Sequence, residues 1–562
     1  MSNEMVYLKP NVLTEPLVCN WYAWTHLLQP ITAGMNIVDR HLAIMKSFVQ
    51  APQVHAAAVR NPAMLGGPFI SHEPSRAKDV KALMERTLKD QADLIALAKA
   101  VKELDDMLRA EAKGFCLEPL YAKVPEPLRG YVELVYDLNH NASFRIYEQL
   151  LYRSPYYRED LQSFAFTLIE KDKDRPFVLS TPRIEEEGVL FVHRPFRHEG
   201  IDELFRMKTS PRPYGHIKEL LGVEDKDDAL FRTFFTGEAP APYEHYTGDG
   251  MRTRYFGHAC ILVEARGVSI LSDPVISYDY HADLPRFTYA DLPDFIDYVV
   301  ISHNHQDHVL LETMIQLRHK IGTVIIPRGG GGSLQDPSLK LVLQQIGFKD
   351  VREIEELETL EIAGGTMTGI PFLGEHADLD IRTKMAYMVK IGAGSVILAA
   401  DSCNVEPRIY ENVQKYTGNA DVLFLGMECD GAPLSWLYGP LVTKPLDRKI
   451  DFSRRLSGSN YERGIDIVNR FGVKQAYVYA MGMEPWLKYI MAKDYTPDSD
   501  PIIASDKLIQ ACRDNGIVAE RLFGEKEISL GATEPVEIKA SAPCGIPPSL
   551  QPAAQPEPVG AL

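Results

Sequence analysis

The segment HNHQDH, residues 303–308, puts His303, His305, Asp307 and His308 within six positions, directly after the apolar run DYVVIS. Where a buried strand opens into a loop, alternate and adjacent side chains point in different directions. Four such donors can therefore converge on two cations. A lone histidine is usually a satisfied core or surface residue. A cluster of three imidazoles and a carboxylate at one strand end instead indicates a metal centre.

A site of this kind needs a sheet behind it. From about residue 245 onward, short β-branched runs (ACILVEA, VSILSDP, YVVISH, TVIIP, SVILAAD, VLFLGME, AYVYAM) alternate with helical stretches such as LLETMIQLRH and YERGIDIVNRF, the pattern of a layered α/β domain. The stretch EAPAPYEHYTGDG at 238–250 concentrates Pro, Gly and acids, which marks a domain edge. The expected domains are 1–245, 246–535 and a Pro-rich disordered tail at 536–562. RGGGGS at 328–333 lacks the Lys-Ser/Thr of a phosphate-binding loop and reads as a loop after a strand.

The first 110 residues read as helical. Between Ala77 and Ala112, Val80, Leu83, Met84, Leu88, Leu94, Ile95, Ala98, Val101, Leu104 and Leu108 recur at helical spacing, with Ser75 as the expected N-cap. One long helix with a single apolar stripe can pack within the subunit or against a second copy, so a homodimer is expected. PFVLSTPRI and GVLFVHRPF, between Arg175 and Tyr214, read as β-type and make the N-terminal domain mixed α/β.

The composition of the 562 residues narrows the function classes. Apolar residues are 45% and charged residues 24%, as in folded globular chains. Sixty Lys and Arg against 77 Asp and Glu give a net charge of −17, which disfavours nucleic acid and anionic lipid as partners. Seven scattered cysteines without a CxxC pair indicate neither a disulfide framework nor a thiolate zinc site. With no signal peptide and no membrane-spanning run, a cytoplasmic protein is expected.

HNHQDH, preceded by RYFGHACILVEARGVSILSDP at 254–274, resembles the metallo-β-lactamase superfamily. The resemblance implies an αββα sandwich for the C-terminal domain, with Asp273 orienting a metal-bound imidazole. His258 is read as a strand residue of the opening sheet rather than a ligand. The likeness continues in PFLGEHADLD (371–380), where Glu375 and His376 compete for one ligand position, and in SVILAADSC (395–403), where Asp401 fits a bridging role. Hydrolases of this fold use one further histidine late in the chain, whereas here His376 is the last of 16. Fewer imidazoles and more carboxylates favour iron over zinc.

These departures make the whole chain similar to the diiron β-hydroxylase family of chloramphenicol biosynthesis, which acts on an amino acid held as a thioester on a nonribosomal peptide synthetase carrier domain. The resemblance implies two Fe ions, one held by His303, His305 and Glu375, the other by Asp307 and His308, with Asp401 at or between both. It also implies O2 as co-substrate and two external electrons from an unidentified donor. Glu428, in VLFLGMECDGAP, is expected at the same sheet edge, where it would bind the substrate amine or orient a ligand. Trp436, Tyr438, Met481, Met483 and Trp486 are candidate pocket residues. The locally positive segment His193–Lys218, with Arg194, Arg197, Arg206, Lys208, Arg212 and Lys218, is the expected docking face for an acidic carrier and its phosphopantetheine. Two alternatives remain at this point: a dizinc hydrolase of an ester, lactone or phosphodiester, and a scaffold with structural metals.

Overall fold

A computed structural model describes residues 4–531. The tail expected at 536–562 lies outside the described residues.

The apolar runs of the C-terminal half become two seven-stranded sheets. In the first, Val351–Ile354, Ile321–Pro327, Ile296–Val300 and Val268–Ser272 run parallel, and Cys260–Ala265, Met251–Gly257 and Lys526–Leu530 continue antiparallel. The second passes from antiparallel Thr359–Ile362, Gly365–Ile370, Ala386–Ile391 and Gly394–Leu398 to parallel Val422–Gly426, Gln475–Tyr479 and Val518–Arg521. Side chains alternate across each strand. Ile261 and Val263 face the other sheet, where they join Met367, Val389, Leu398 and Phe424 in one core, while Leu262 points outward. Helices Leu311–Leu317 and Leu339–Gln345 cover the outer face of the first sheet. Helices Pro407–Thr417, Tyr461–Phe471 and Asp500–Asp514 cover that of the second. This is the αββα sandwich that the resemblance implied, and RGGGGS is the loop leaving the strand Ile321–Pro327.

The N-terminal half is mixed α/β, but the reading of its first 110 residues as helical is corrected. The chain opens with strands Met5–Leu8, Val12–Val18 and Trp21–Tyr22, and Val12–Val18 pairs with Gln162–Leu168, far along the sequence. Pairing with a distant partner overrides local propensity. The single long helix is in fact two, Ala77–Asp90 and Ala92–Glu111, broken at Gln91 (φ −122°, ψ 27°). Leu88 faces outward (48% exposed), while Val80, Leu83, Val101, Leu104 and Leu108 share a core with Ile31, Met35, Leu128 and Leu437, and Leu94 and Ile95 pack with Ile37 of the same chain. The stripe is therefore spent inside the subunit and no longer argues for a homodimer. Ser75 lies in a 3-10 turn, Pro74–Arg76, and does not cap the helix. PFVLSTPRI is not a strand; its Val178 N–H donates to Tyr489 O across the two halves. GVLFVHRPF supplies the short strand Leu190–Val192.

Residues 237–250 carry neither helix nor strand. Packing does not stop there, because Phe164, Phe166 and Phe205 share one core with Leu262, Leu271, Val299 and Met314. No helix among the described residues is long and apolar enough to cross a membrane.

A buried ion network fastens the halves together. Arg175 Nη2 lies 2.8 Å from Glu15 Oε1 and 2.7 Å from Glu312 Oε2, and its guanidinium stands 3.4 Å over the Tyr489 ring. Arg183 also pairs with Glu15. Glu312 belongs to the helix that follows HNHQDH, and Tyr278 donates to it at 2.7 Å. Burial alone would raise the Glu15 carboxyl, but Arg183 and Arg175 outweigh it and hold it at about 2, below its ordinary 4.5. A depressed carboxyl stabilises the fold above its unfolded pKa, so this contribution is complete above about pH 4.5 and is lost as pH falls toward 2. Replacing Arg175 with Met leaves two buried carboxylates short of a partner. It should lower the unfolding free energy at neutral pH by about 3–5 kcal/mol, read by denaturant titration. A loss below 1 kcal/mol would show that the network carries no such weight.

Candidate metal centre

HNHQDH leaves the strand Ile296–Val300 at the rim of the first sheet, and its donors gather there with those of three other strand ends. His303 Nε2 lies 3.1 Å from His305 Nδ1. Glu375 reaches both, with Oε1 3.0 Å from His305 Nδ1 and Oε2 3.5 Å from His303 Nε2. On the other side, His308 Nε2 lies 2.9 Å from Asp401 Oδ2 and 3.9 Å from Asp307 Oδ2. Asp401 Oδ2 is also 3.9 Å from His303 Nε2, which puts this carboxylate between the two groups.

The backbone that aims these donors is unusual. Asp273 (φ 34°), Glu375 (φ 62°) and Ala400 (φ 46°), the residue before Asp401, are all left-handed without being glycine. Such conformations cost about 1–2 kcal/mol each and gather at functional sites. Ala400 N–H donates to the Tyr479 hydroxyl at 2.8 Å, which fixes the turn. Gly426 beside it must lack a side chain, since a Cβ there would stand 2.4 Å from Asp401 Oδ1.

The ring nitrogens facing away from the cluster are held. His308 Nδ1–H donates to Asp273 Oδ2 at 3.0 Å, and the same oxygen accepts from Ser302 Oγ at 2.6 Å. Asp273 thus has the orienting position expected of it. His303 Nδ1 meets Ser302 Oγ at 2.9 Å, and His305 Nε2 meets the Tyr438 hydroxyl at 2.8 Å. These bonds leave His303 Nε2, His305 Nδ1 and His308 Nε2 facing inward, the arrangement of metal-binding imidazoles.

The donor set fits divalent cations. Glu375 Oε2 and Asp401 Oδ1 are buried without a hydrogen-bond partner in the protein. Buried carboxylates without a compensating charge are costly. Burial raises the Glu375 carboxyl to about 7 despite the pull of His305. Burial, then the neighbouring imidazoles His308 and His305, hold His303 well below its ordinary value. His308 moves the other way, because Asp401 and Asp307 overcome its burial. A cation at each group relieves all three strains.

His376 joins His303, His305 and Glu375 in one ligand-sized group. Its Nδ1 lies 3.2 Å from Gly374 O and its Nε2 is buried with no hydrogen-bond partner, while Glu375 spans both imidazoles of the first group. His258 corrects the sequence reading. It is not a strand residue but sits in the turn after Met251–Gly257, with Nε2 3.2 Å from Asp307 Oδ2. Its position next to the strand run ACILVEA concealed this.

A cavity of about 230 Å³ opens onto the cluster, with Asp307, Glu375 and Asp401 on its floor and Leu65, Gly66, Glu428, Trp436, Met491 and Lys493 among its walls. Glu428 emerges where expected and is paired with Lys493, a residue the sequence reading missed. Burial lowers Lys493 to about 8 against the pull of Asp307 and Asp401. Of the five candidate pocket residues only Trp436 lines this cavity. Tyr438 is the buried partner of His305, Met481 and Met483 belong to the core outside the second sheet, and Trp486 packs under Arg286.

Most of the basic residues of the expected docking face are engaged within the chain. Arg197 pairs with Glu159, Arg206 and Arg212 with Glu203, and Lys218 with Asp225 and Asp228. Lys208 is buried 3.8 Å from the Tyr289 ring centre, and burial lowers it to about 7. None of these residues reaches the cavity over the cluster. Local pairing offsets much of the positive charge that the sequence displays.

Fold and site together define a dinuclear metalloenzyme of the metallo-β-lactamase fold. The model of the diiron non-heme beta-hydroxylase N-terminal domain matches residues 7–240, and that of the beta-lactamase superfamily domain matches 252–428. The chain is 39% identical over 532 residues to a 4-amino-L-phenylalanyl-[CmlP-peptidyl-carrier-protein] 3-hydroxylase of Streptomyces venezuelae, covering 93% of this chain and 99% of that one. The crystal structure of CmlA, a diiron beta-hydroxylase from Streptomyces venezuelae, superposes with a TM-score of 0.88 at 39% identity, over 94% of this chain and all of that one. A UPF0173 metal-dependent hydrolase of Methanopyrus kandleri is 28% identical over only 27% of this chain and 62% of its own length. The chain belongs to the diiron non-haem β-hydroxylases, O2-dependent monooxygenases whose cofactor is a pair of irons.

Glu375, which reaches both imidazoles, and its neighbour His376 give two comparable substitutions. Glu375→Ala should lower the metal content of the purified protein by at least half, and His376→Ala should leave it near the wild-type value, both read by inductively coupled plasma mass spectrometry. The reverse order would assign the position to His376.

Proposed function

We propose that this enzyme β-hydroxylates an amino acid with an apolar or aromatic side chain, tethered as a thioester to a nonribosomal peptide synthetase carrier domain. The observation that carries the reading is the extent of the likeness. Similarity to a hydroxylase of a carrier-bound amino acid runs through both halves, whereas similarity to the hydrolase is confined to about a quarter of the chain. The six described cysteines are unpaired thiols, which supports a cytoplasmic setting.

In this reading His303, His305 and Glu375 would hold one iron and Asp307 and His308 the other, with Asp401 available to both. When bound, the iron pair supplies the reductive activation of O2 needed to oxidise a C–H bond. The balance is one O2, two external electrons and two protons for one hydroxyl group and one water.

The protein's own task is positioning. Leu65, Trp436 and Met491 give the cavity an apolar wall that packs the substrate side chain and excludes water. Glu428 accepts the α-ammonium group, with Lys493 released from its present ion pair as the substrate enters. Tyr438 and Asp273 keep the imidazoles of His305 and His308 aimed at the metals. The N-terminal half supplies Leu65 and Gly66, so the cavity is built from both domains. A second groove of about 630 Å³ between the halves shares Gly66 and Trp436 with it, as suits a substrate carried on a long arm.

Tethering makes a kinetic difference, because contacts remote from the reacting carbon can position it. In single turnover of the chemically reduced enzyme with O2, a suitable amino acid on its cognate carrier should gain one oxygen at Cβ, at least about a hundredfold faster than the free acid. Equal rates would contradict tethering, and thioester hydrolysis without oxygen incorporation would support a hydrolase.

A further inference from the structure

We infer that Asp336, cradled by the glycine-rich loop RGGGGS, is a positioning residue for the first iron, because its carboxylate fixes the loop that presents Glu375 and His376. Asp336 acts through Glu375 in the diiron reading above, on which this assignment rests. His376 is held by the same loop.

Residues 371–385 join the strands Gly365–Ile370 and Ala386–Ile391 without helix or strand of their own. The outgoing limb is strained, since Glu375 (φ 62°), Ala377 (φ 53°) and Asp378 (φ 54°) are all left-handed after Gly374 (φ 75°). Such a turn persists only where its surroundings hold it. Asp336 holds the returning limb: Arg382 N–H and Thr383 N–H donate to its Oδ2 at 2.9 and 3.2 Å. The next two residues lie against the metal cluster. Lys384 pairs with His303 in an isolated antiparallel bridge, and Met385 N–H donates to Ser302 O at 2.7 Å. Asp336 therefore pins the limb where it meets the strand end that carries HNHQDH.

The glycines of RGGGGS follow from the same contacts. Gly330 N–H is the third donor to Asp336 Oδ2, at 2.9 Å. A Cβ on Gly330 would stand 2.8 Å from that oxygen, and one on Gly329 would stand 3.1 Å from Thr383 Oγ1. Only bare backbone fits so close to the carboxylate. A run that lacks the residues of a phosphate-binding loop thus receives the chain's own anion. The loop is anchored in turn, because Gly332 O accepts from Ile146 N–H at 2.9 Å and Ser338 N–H donates to Glu148 Oε2 at 3.0 Å.

Closing its own turn does not account for Asp336. Of its three donors only Gly330 belongs to that turn, while Arg382 and Thr383 lie 46 and 47 residues further along the chain. The residue is 1% exposed, so water does not substitute for these bonds. All three bonds converge on Oδ2, and Oδ1 is buried with no hydrogen-bond partner in the protein. An asparagine with its carbonyl oxygen in the Oδ2 position keeps every bond, whereas alanine keeps none.

The test compares 57Fe-loaded holoenzyme of the wild type with Asp336→Ala, Asp336→Asn and Gly330→Ala. It reads iron per chain, the Mössbauer spectrum, the rate of iron loss to a chelator and the melting temperature. Asp336→Ala and Gly330→Ala should shift or broaden the doublet of one iron and release iron at least about tenfold faster than the wild type, as follows when a group that orients a metal ligand is lost. Asp336→Asn should restore the wild-type spectrum and a release rate within about twofold. A lowered melting temperature with an unchanged spectrum and release rate in both alanine variants would overturn the proposal and leave Asp336 a support of the fold alone. An asparagine variant as impaired as the alanine one would overturn it too. Far-ultraviolet circular dichroism identifies a variant that has not folded. Gly330→Ala, which displaces the carboxylate without removing it, then decides. Fewer than two irons in the wild type would instead refute the diiron reading itself.

Discussion

The structure depends on an unbalanced concentration of electron-rich atoms at one sheet rim. Glu375 Oε2 and Asp401 Oδ1 have no hydrogen-bond partner in the protein, and the inward-facing His303 Nε2 and His305 Nδ1 lie 3.1 Å apart. In a low-dielectric interior this is unfavourable unless cations sit among the donors. The fold holds the donors by force of backbone, with left-handed residues at His258, Asp273, Glu375 and Ala400. Cation binding is thereby linked to the stability of the strand ends themselves.

The N-terminal half is part of the same construction. Leu65 and Gly66 close the cavity over the cluster, and the Trp436 Nε1–H donates to Gly66 O at 3.1 Å, so the two halves meet at the cavity wall. The Glu15–Arg175–Glu312 network joins the N-terminal sheet to the helix that begins just after HNHQDH, and Tyr489 lies under Arg175 four residues before Lys493.

What the sequence revealed follows from the range of each signal. HNHQDH and the Asp401 strand end were legible because donor spacing and strand hydrophobicity are local. His258 was read as a strand residue because a turn between two apolar runs carries no local signal, and only its backbone angle sets it apart. Lys493 and Leu65 enter the site from distant segments and carry no motif, and Tyr438, expected in the pocket wall, instead holds His305. The apparent basic face of His193–Lys218 is paired with an acid inside the window, Glu203, and with acids outside it, at Glu159, Asp225 and Asp228. The helix break at Gln91 and the opening strands are likewise set by tertiary partners rather than by propensity.

The central claim is that two irons occupy this rim on either side of Asp401. Anomalous difference maps collected on both sides of the iron absorption edge test it directly. The account predicts two peaks that vanish below the edge, one among His303, His305 and Glu375 and one among Asp307 and His308, with the Asp401 carboxylate between them. A single peak, or peaks that persist below the iron edge and belong to another metal, would contradict it.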